Sequence, residues 1–212
     1  MLDFGGGGID GLDAGPDSLA MGVYAVDRNN ISIRNGTIRG FTYGIGLENT
    51  AADFSSTVGH VISNMVLDQN RSIAIEVRGV GTVLRNNKIQ HTHSSDFGSV
   101  IAVMIFGPGA QVQENDITNT STALDSTDAT GIRIFAGPGC TVEANHIVNT
   151  TAPYQGGYGV LLWNSSSCVV SQNTFENRKE SPLGYGVFVI NGPGSEIAGN
   201  TYKNVIVREF GN

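Results

Sequence analysis

Five short stretches decide the architecture of this chain: VLRNNKI (83–89), VQENDI (112–117), VEANHI (142–147), VSQNTF (170–175) and IAGNTY (197–202). Each has an apolar residue, an Asn three positions on, and a second apolar residue two positions after that. The Asn residues are Asn87, Asn115, Asn145, Asn173 and Asn200, separated by 28, 30, 28 and 27 residues. Recurrence at a period of that size is the mark of a repeat architecture, in which no unit buries its apolar face alone. The same template fits ISIRNGTI (31–38) through Ile33, Gly36 and Ile38, HVISNMVL (60–67) through Ile62, Met65 and Leu67, and LDFGGGGI (2–9) through Phe4, Gly7 and Ile9.

Upstream of each Asn lies a second recurring shape: SVIAVMIFGPG (99–109), TGIRIFAGPG (130–139), YGVLLWNSSS (158–167) and YGVFVINGPG (185–194). Period-two alternation there predicts strands with one inward column of Val23, Ile45, Ile75, Ala102, Ile132, Val160 and Val187. It predicts a second of Ala25, Leu47, Val77, Met104, Ile134, Leu162 and Val189. Gly-Pro-Gly at 107–109, 137–139 and 192–194 marks the same bend in three units, because Pro presets φ and Gly takes conformations closed to other residues. The reading is an all-β, right-handed parallel β-helix: a solenoid of about eight three-strand coils, each adding roughly 4.8 Å along the axis. In-register stacking suits Val, Ile and Leu in the core and amides in a ladder. The Asn column is therefore expected to be structural, each side chain bonding the next coil and the turn backbone. Loss of Asn145 should cost roughly 1–3 kcal/mol.

Composition agrees. In 212 residues, 40% hydrophobic and only 15% charged residues exclude disorder, and 29 glycines demand many tight turns. A net charge of −7 argues against nucleic acid, whose phosphates need Lys and Arg. No apolar run is long enough for membrane insertion, and Met1-Leu2-Asp3-Phe4 does not begin a signal peptide. Residues 1–212 read as one domain. Both ends look cut, Leu2 lying already in a strand and Asn204–Arg208 starting another, so a fragment of a longer chain with open ends is expected. Cys140 and Cys168 each stand five residues before their Asn and should share an inward column as stacked core thiols, close enough for a disulfide that the fold does not need.

The repeats, together with LDFGGGGIDG (2–11) and NISIRNGTIRGF (30–41), resemble the pectate-lyase-like superfamily, particularly bacterial proteins with parallel β-helix repeats; the likeness spans essentially the whole chain. The resemblance implies a lyase, hydrolase or epimerase of acidic polysaccharides, or a tailspike, adhesin or copper-maturation protein. Two activities are disfavoured: the DPH of mannuronan epimerases is missing, as are the paired Asp residues and GHG of polygalacturonases.

Loops lengthen on one corner, at 90–98, 118–130, 148–158 and 176–185, and should stack into a wall beside the outward residues Tyr24, Gly46, Glu76, Val103, Arg133, Leu161 and Phe188. Lyases of this superfamily work on a comparable face with an Arg or Lys base. On that pattern Arg133 is the candidate catalytic cation, with Arg78 and Glu76 two coils earlier and His91 and His93 in the adjoining loop. Proton abstraction beside a uronate carboxylate needs a base and a positive neutraliser. Asp96, Tyr158, Trp163 and Phe135 are candidates for binding the sugar chain. His91, His93 and Asp96 have ligand types suited to a metal, and Asp125 and Asp128 to calcium, but no cofactor is expected from signals this weak. Val103, Ile105, Phe135, Leu161, Trp163, Phe188, Ile190 and Ile206 make the outward face of the later strands apolar, to be covered by loops or by a second subunit, as in trimeric spikes. Tyr43, Tyr158 and Tyr185 form a further partial column. The leading expectation is an extracellular or surface protein, on a cell or virion, that binds or cleaves an acidic polysaccharide at the Arg133 face. The alternative is a non-catalytic structural or adhesive segment that oligomerises through the apolar ridge.

Overall fold

The computed structural model describes residues 1–11, 19–52, 54–94, 98–125, 127–153, 157–179 and 183–211. Among them no helix occurs, and strand partners are parallel neighbours 22–31 residues apart in sequence. One sheet has eight strands: Met21–Val26, Tyr43–Glu48, Ile73–Arg78, Val100–Phe106, Ala129–Phe135, Gly157–Trp163, Leu183–Ile190 and Val205–Phe210. The strands before and after each Asn form a fifteen-stranded sheet folded along the Asn corner. Eight stacked strands make seven full turns from first to last, so the solenoid has the expected form.

Three apolar columns meet at the axis, one from each strand position. Ile62, Leu84, Val112, Val142 and Val170 stack in the first. Leu67, Ile89, Ile117, Ile147 and Phe175 stack in the second. Ile45, Ile75, Val103, Ile132, Val160 and Val187 stack in the third. The last column corrects the expected one. Val103 and Ile105 are fully buried core residues, while Met104 faces outward opposite Glu76 and Arg133. The bend after Phe106 is one residue shorter than its successor: Phe106 aligns with Phe135, but Gln111 aligns with Thr141. Counting back from Gly-Pro-Gly therefore slips the phase by one, which turns every side chain over. A second correction lies at the start, where Leu2 stands opposite Ile33 and Phe4 packs at the corner against Gly36.

The corner itself is tight. Asn86, Glu114, Ala144 and Gln172, each directly before a ladder Asn, have φ of 54–56°. This left-handed turn breaks the strand and takes the backbone N–H of the following Asn out of the regular ladder. The side chains restore the pairing. Asn115 N–H donates to Asn145 Oδ1 at 3.0 Å, Asn145 N–H to Asn173 Oδ1 at 2.9 Å, and Asn173 N–H to Asn200 Oδ1 at 2.9 Å. Each Nδ2 donates back to a carbonyl of the preceding rung, as Asn145 does to Val112 O at 2.8 Å. The chain of bonds begins at Met65 N–H on Asn87 Oδ1.

Cys140 and Cys168 occupy one buried column, as expected, but they are joined as a disulfide with Cα atoms 4.6 Å apart. Neighbouring parallel strands bring equivalent Cβ atoms close enough for the bond, so in-register cysteines meet without backbone adjustment. Three rungs of the same sheet before Cys140, His60 is 1% exposed and neither ring nitrogen has a hydrogen-bond partner among the described residues. Burial holds its pKa below the ordinary value of 6.5. The unfolded chain therefore binds a proton that the native chain refuses, and stability falls as pH drops below about 6.5. The lowered carboxyl groups of Asp3 and Asp27 add to this loss only in more acid solution, near and below their ordinary 3.8. The urea midpoint should decline between about pH 7 and about pH 5, and His60→Leu should flatten that decline.

Candidate functional site

The outer face of the eight-stranded sheet carries three side-chain columns. The first runs Tyr43, Ile73, Ile101, Thr130, Tyr158, Tyr185 and Val207. The second runs Tyr24, Gly46, Glu76, Met104, Arg133, Leu161, Phe188 and Phe210. The third runs Arg78, Phe106, Phe135, Trp163 and Ile190. Where the later rungs carry their largest side chains, these columns enclose a groove of about 290 Å³ lined by Ser99, Asp128, Arg133, Tyr158, Leu161, Trp163, Phe188 and Ile190.

Arg133 owes its position to a break in alternation. A Cβ on Gly131 would lie 2.9 Å from the core side chain of Ile147, so Gly131 and Ile132 both face inward. Thr130 and Arg133 then face outward together, and Arg133 Nη2 donates to Thr130 Oγ1 at 2.9 Å. Nη2 also donates to Asp128 Oδ2, Ser99 Oγ donates to Asp128 Oδ1, and both ionic side chains are largely buried, at 13% and 16% exposure. Arg133 Nε is buried with no partner among the described residues. Burial lowers the pKa of the guanidinium while Asp128 opposes that shift. Burial also raises the pKa of the Tyr158 hydroxyl, with Asp128 and Tyr185 adding to the effect.

The remaining candidates divide by location. Arg78 and Glu76 share the face with Arg133 but form their own ion pair at 2.7 Å, and the Arg78 guanidinium lies 4.7 Å from the centre of the Phe106 ring. His91 and His93 lie on the fifteen-stranded side, outside the groove lining. His91 Nδ1 is 2.8 Å from Asp68 Oδ1, and His93 Nδ1 is 2.9 Å from the carbonyl of His91. Asp96 falls outside the described residues. Asp125 is exposed, and Asp128 spends both oxygens on Arg133, Thr130 and Ser99, which leaves little for a calcium ion. Among the described residues no group of three or more metal-ligating side chains gathers.

Aromatic contacts run along the face. Phe54, Phe106, Phe135 and Trp163 follow one another at centroid distances of 5.4–5.7 Å. Tyr158 and Tyr185 stack at 5.3 Å, and Phe188 stacks on Phe210 at 4.9 Å. The ridge thus continues to Phe210, while Ile206 stands between the aligned pairs Leu183–Val205 and Tyr185–Val207, off the Phe188 column. Phe54, Phe106 and Phe135 are half-covered within the chain, whereas Trp163 is 41% and Phe210 55% exposed. Ser99 and the pairing of Asp128 with Arg133 escape a reading by residue type. The available signal was Asp128 standing five residues before Arg133 across a Thr-Gly step.

These features define a parallel β-solenoid with a part-aromatic groove on one sheet face. Residues 21–202 match the family described as the right handed beta helix region, and the chain belongs to it. Among solved structures it is similar to PfbA, a surface adhesin of Streptococcus pneumoniae, with TM-score 0.60 and 14% identity over 86% of this chain and 46% of that one. It is also similar to the periplasmic alginate epimerase AlgG, with TM-score 0.48 and 14% identity over 89% of this chain and 47% of that one. A third is the A-module of the Azotobacter vinelandii mannuronan C-5 epimerase AlgE6, with TM-score 0.39 and 15% identity over 87% and 61%. The chain spans about half the length of the first two. At such identities the likeness is one of fold. No curated protein matches.

Proposed function

We propose that this β-helix binds a polysaccharide chain along the outer face of the eight-stranded sheet, in the groove between Tyr158 and Ile190. The observation that carries the reading is the exposed Trp163 ring beside the buried Asp128–Arg133 pair. An aromatic face suits the apolar side of a sugar ring, and a fixed polar pair beside it suits the hydroxyls. Binding is favoured over cleavage because Arg133, Arg78 and His91 are already committed to carboxylates, those of Asp128, Glu76 and Asp68, and His93 lies outside the groove lining. Placement outside the cytoplasm, on a cell or virion surface, is part of the proposal and is supported by the Cys140–Cys168 disulfide, a bond that persists in oxidising compartments.

Trp163→Ala should weaken binding to whichever polysaccharide an array of neutral and acidic glycans selects by about tenfold or more, near 1.4 kcal/mol, without changing the urea midpoint beyond what a half-exposed residue contributes. Unsaturated-uronate absorbance should not grow when the protein is incubated with alginate, pectin or glycosaminoglycans. An array without a bound glycan would overturn the proposal; growth of that absorbance, abolished by Arg133→Ala, would replace it with the lyase reading. The exposed Phe210 and Trp163 favour a second reading, self-association through the ridge, which sedimentation would show as a trimer that Phe210→Ser returns to monomer.

A further inference from the structure

A different surface, on the fifteen-stranded sheet, holds a polar pocket of about 210 Å³ lined by Asn119, Ser121, Asn149, Thr151 and Arg178. The sequence repeats itself here, Asn119-Thr120-Ser121 standing one rung from Asn149-Thr150-Thr151. Thr120 and Thr150 are buried, so the flanking residues on each rung turn outward. Asn119 and Asn149 have φ of 58° and 54°, and Asn149 Nδ2 donates to Asn119 Oδ1 at 3.0 Å. That bond ties the two amides together, and Asn119 Nδ2 has no side-chain partner among the described residues. The Ser121 and Thr151 hydroxyls and the Arg178 guanidinium also have no side-chain partner among the described residues. His93 pairs with Ser121 one rung earlier and extends the same column.

Among the described residues the pocket therefore offers the Arg178 guanidinium, two hydroxyls and the Asn119 amide as donors with no carboxylate beside them, and its lining carries a positive charge. The Arg133 groove differs, since its cation is already neutralised. We propose that the Asn119–Asn149–Arg178 pocket is a second binding site that takes the carboxylate of an acidic sugar. Both carboxylate oxygens would accept hydrogen bonds there, from the Arg178 fork and from the paired hydroxyls. The inference extends the polysaccharide reading by assigning the acidic class of the chain, but its site is separate.

The test is a titration of the amide resonances of the intact chain with trigalacturonate, with its neutral methyl ester and with inorganic phosphate. Trigalacturonate should shift the amides of Ser121, Thr151 and Arg178, the methyl ester should not, and Arg178→Ala should weaken the effect at least tenfold while the exposed side chain leaves the fold intact. Trp163→Ala should leave these shifts in place, so failure of the groove and failure of the pocket are read separately. Equal shifts from the methyl ester, unchanged affinity in Arg178→Ala, or a response to phosphate without one to trigalacturonate would each overturn the proposal.

Discussion

Asn145→Leu is expected to lower the stability of the chain by about 3 kcal/mol or more, read as a drop in the urea midpoint at constant slope. This is above the roughly 1–3 kcal/mol expected from the sequence, because two buried groups lose their partner. The side chain accepts from Asn115 N–H at 3.0 Å and Asn115 Nδ2 at 2.9 Å, and donates to Val112 O at 2.8 Å and Asn173 Oδ1 at 3.0 Å. Leucine is close in size but satisfies none of these groups. Each buried polar group left without a partner costs about 1–3 kcal/mol, and at least the Asn115 N–H and the Val112 carbonyl are stranded. Asn200→Leu, at the end of the ladder where burial is partial, should cost less. Equal losses at the two positions would mean that the ladder contributes through something other than buried hydrogen bonds.

Phe175→Ala should cost about 3–5 kcal/mol by the same measure. Phe175 is fully buried, stacks on Tyr202 at 5.3 Å, and takes the place held by Ile147 one rung earlier. The sequence makes room for it at Gly159, where a Cβ would come within 2.4 Å of the Phe175 ring. The two positions are coupled, so Gly159→Ala alone should destabilise by overpacking. With Phe175→Leu in place, Gly159→Ala should cost much less, and a double-mutant cycle that shows simple additivity would contradict this packing.

The corner was legible because its signal is doubly constrained: an amide and two apolar residues at fixed offsets recur in five rungs, and only one register satisfies them all. Strand 100–106 was misphased for the opposite reason. Val100 through Phe106 are all apolar, so the alternation that assigns inside and outside is absent there. The shorter bend then shifted the count. The groove was partly legible, since Arg133, Tyr158 and Trp163 do converge on it. Its polar centre was not, because the Asp128–Arg133 pair depends on two successive inward residues at Gly131 and Ile132, which period-two reasoning does not produce. The column shared by Cys140 and Cys168 is legible in the sequence, but the bond between them is not, since adjacency alone does not distinguish a disulfide from two stacked thiols. The Arg178 pocket is marked in the sequence by Asn119-Thr120-Ser121 and Asn149-Thr150-Thr151, but amides and hydroxyls at those offsets look the same in a turn as in a pocket, and Arg178 joins them only through the stacking of a third rung.

Every surface described here is produced by equivalent residues lying over one another at the spacing of parallel strands. Spin labels on exposed positions of one outward column measure this directly. Arg34, Ser63, Arg85, Gln113, Glu143, Ser171 and Ala198 occupy successive rungs. Labels at Arg85 and Ala198 should lie about 19 Å apart, and labels at Arg34 and Ala198 about 29 Å, the difference being two strand spacings. Distances that fail to grow with rung number would contradict the stacked register and, with it, both proposed binding sites.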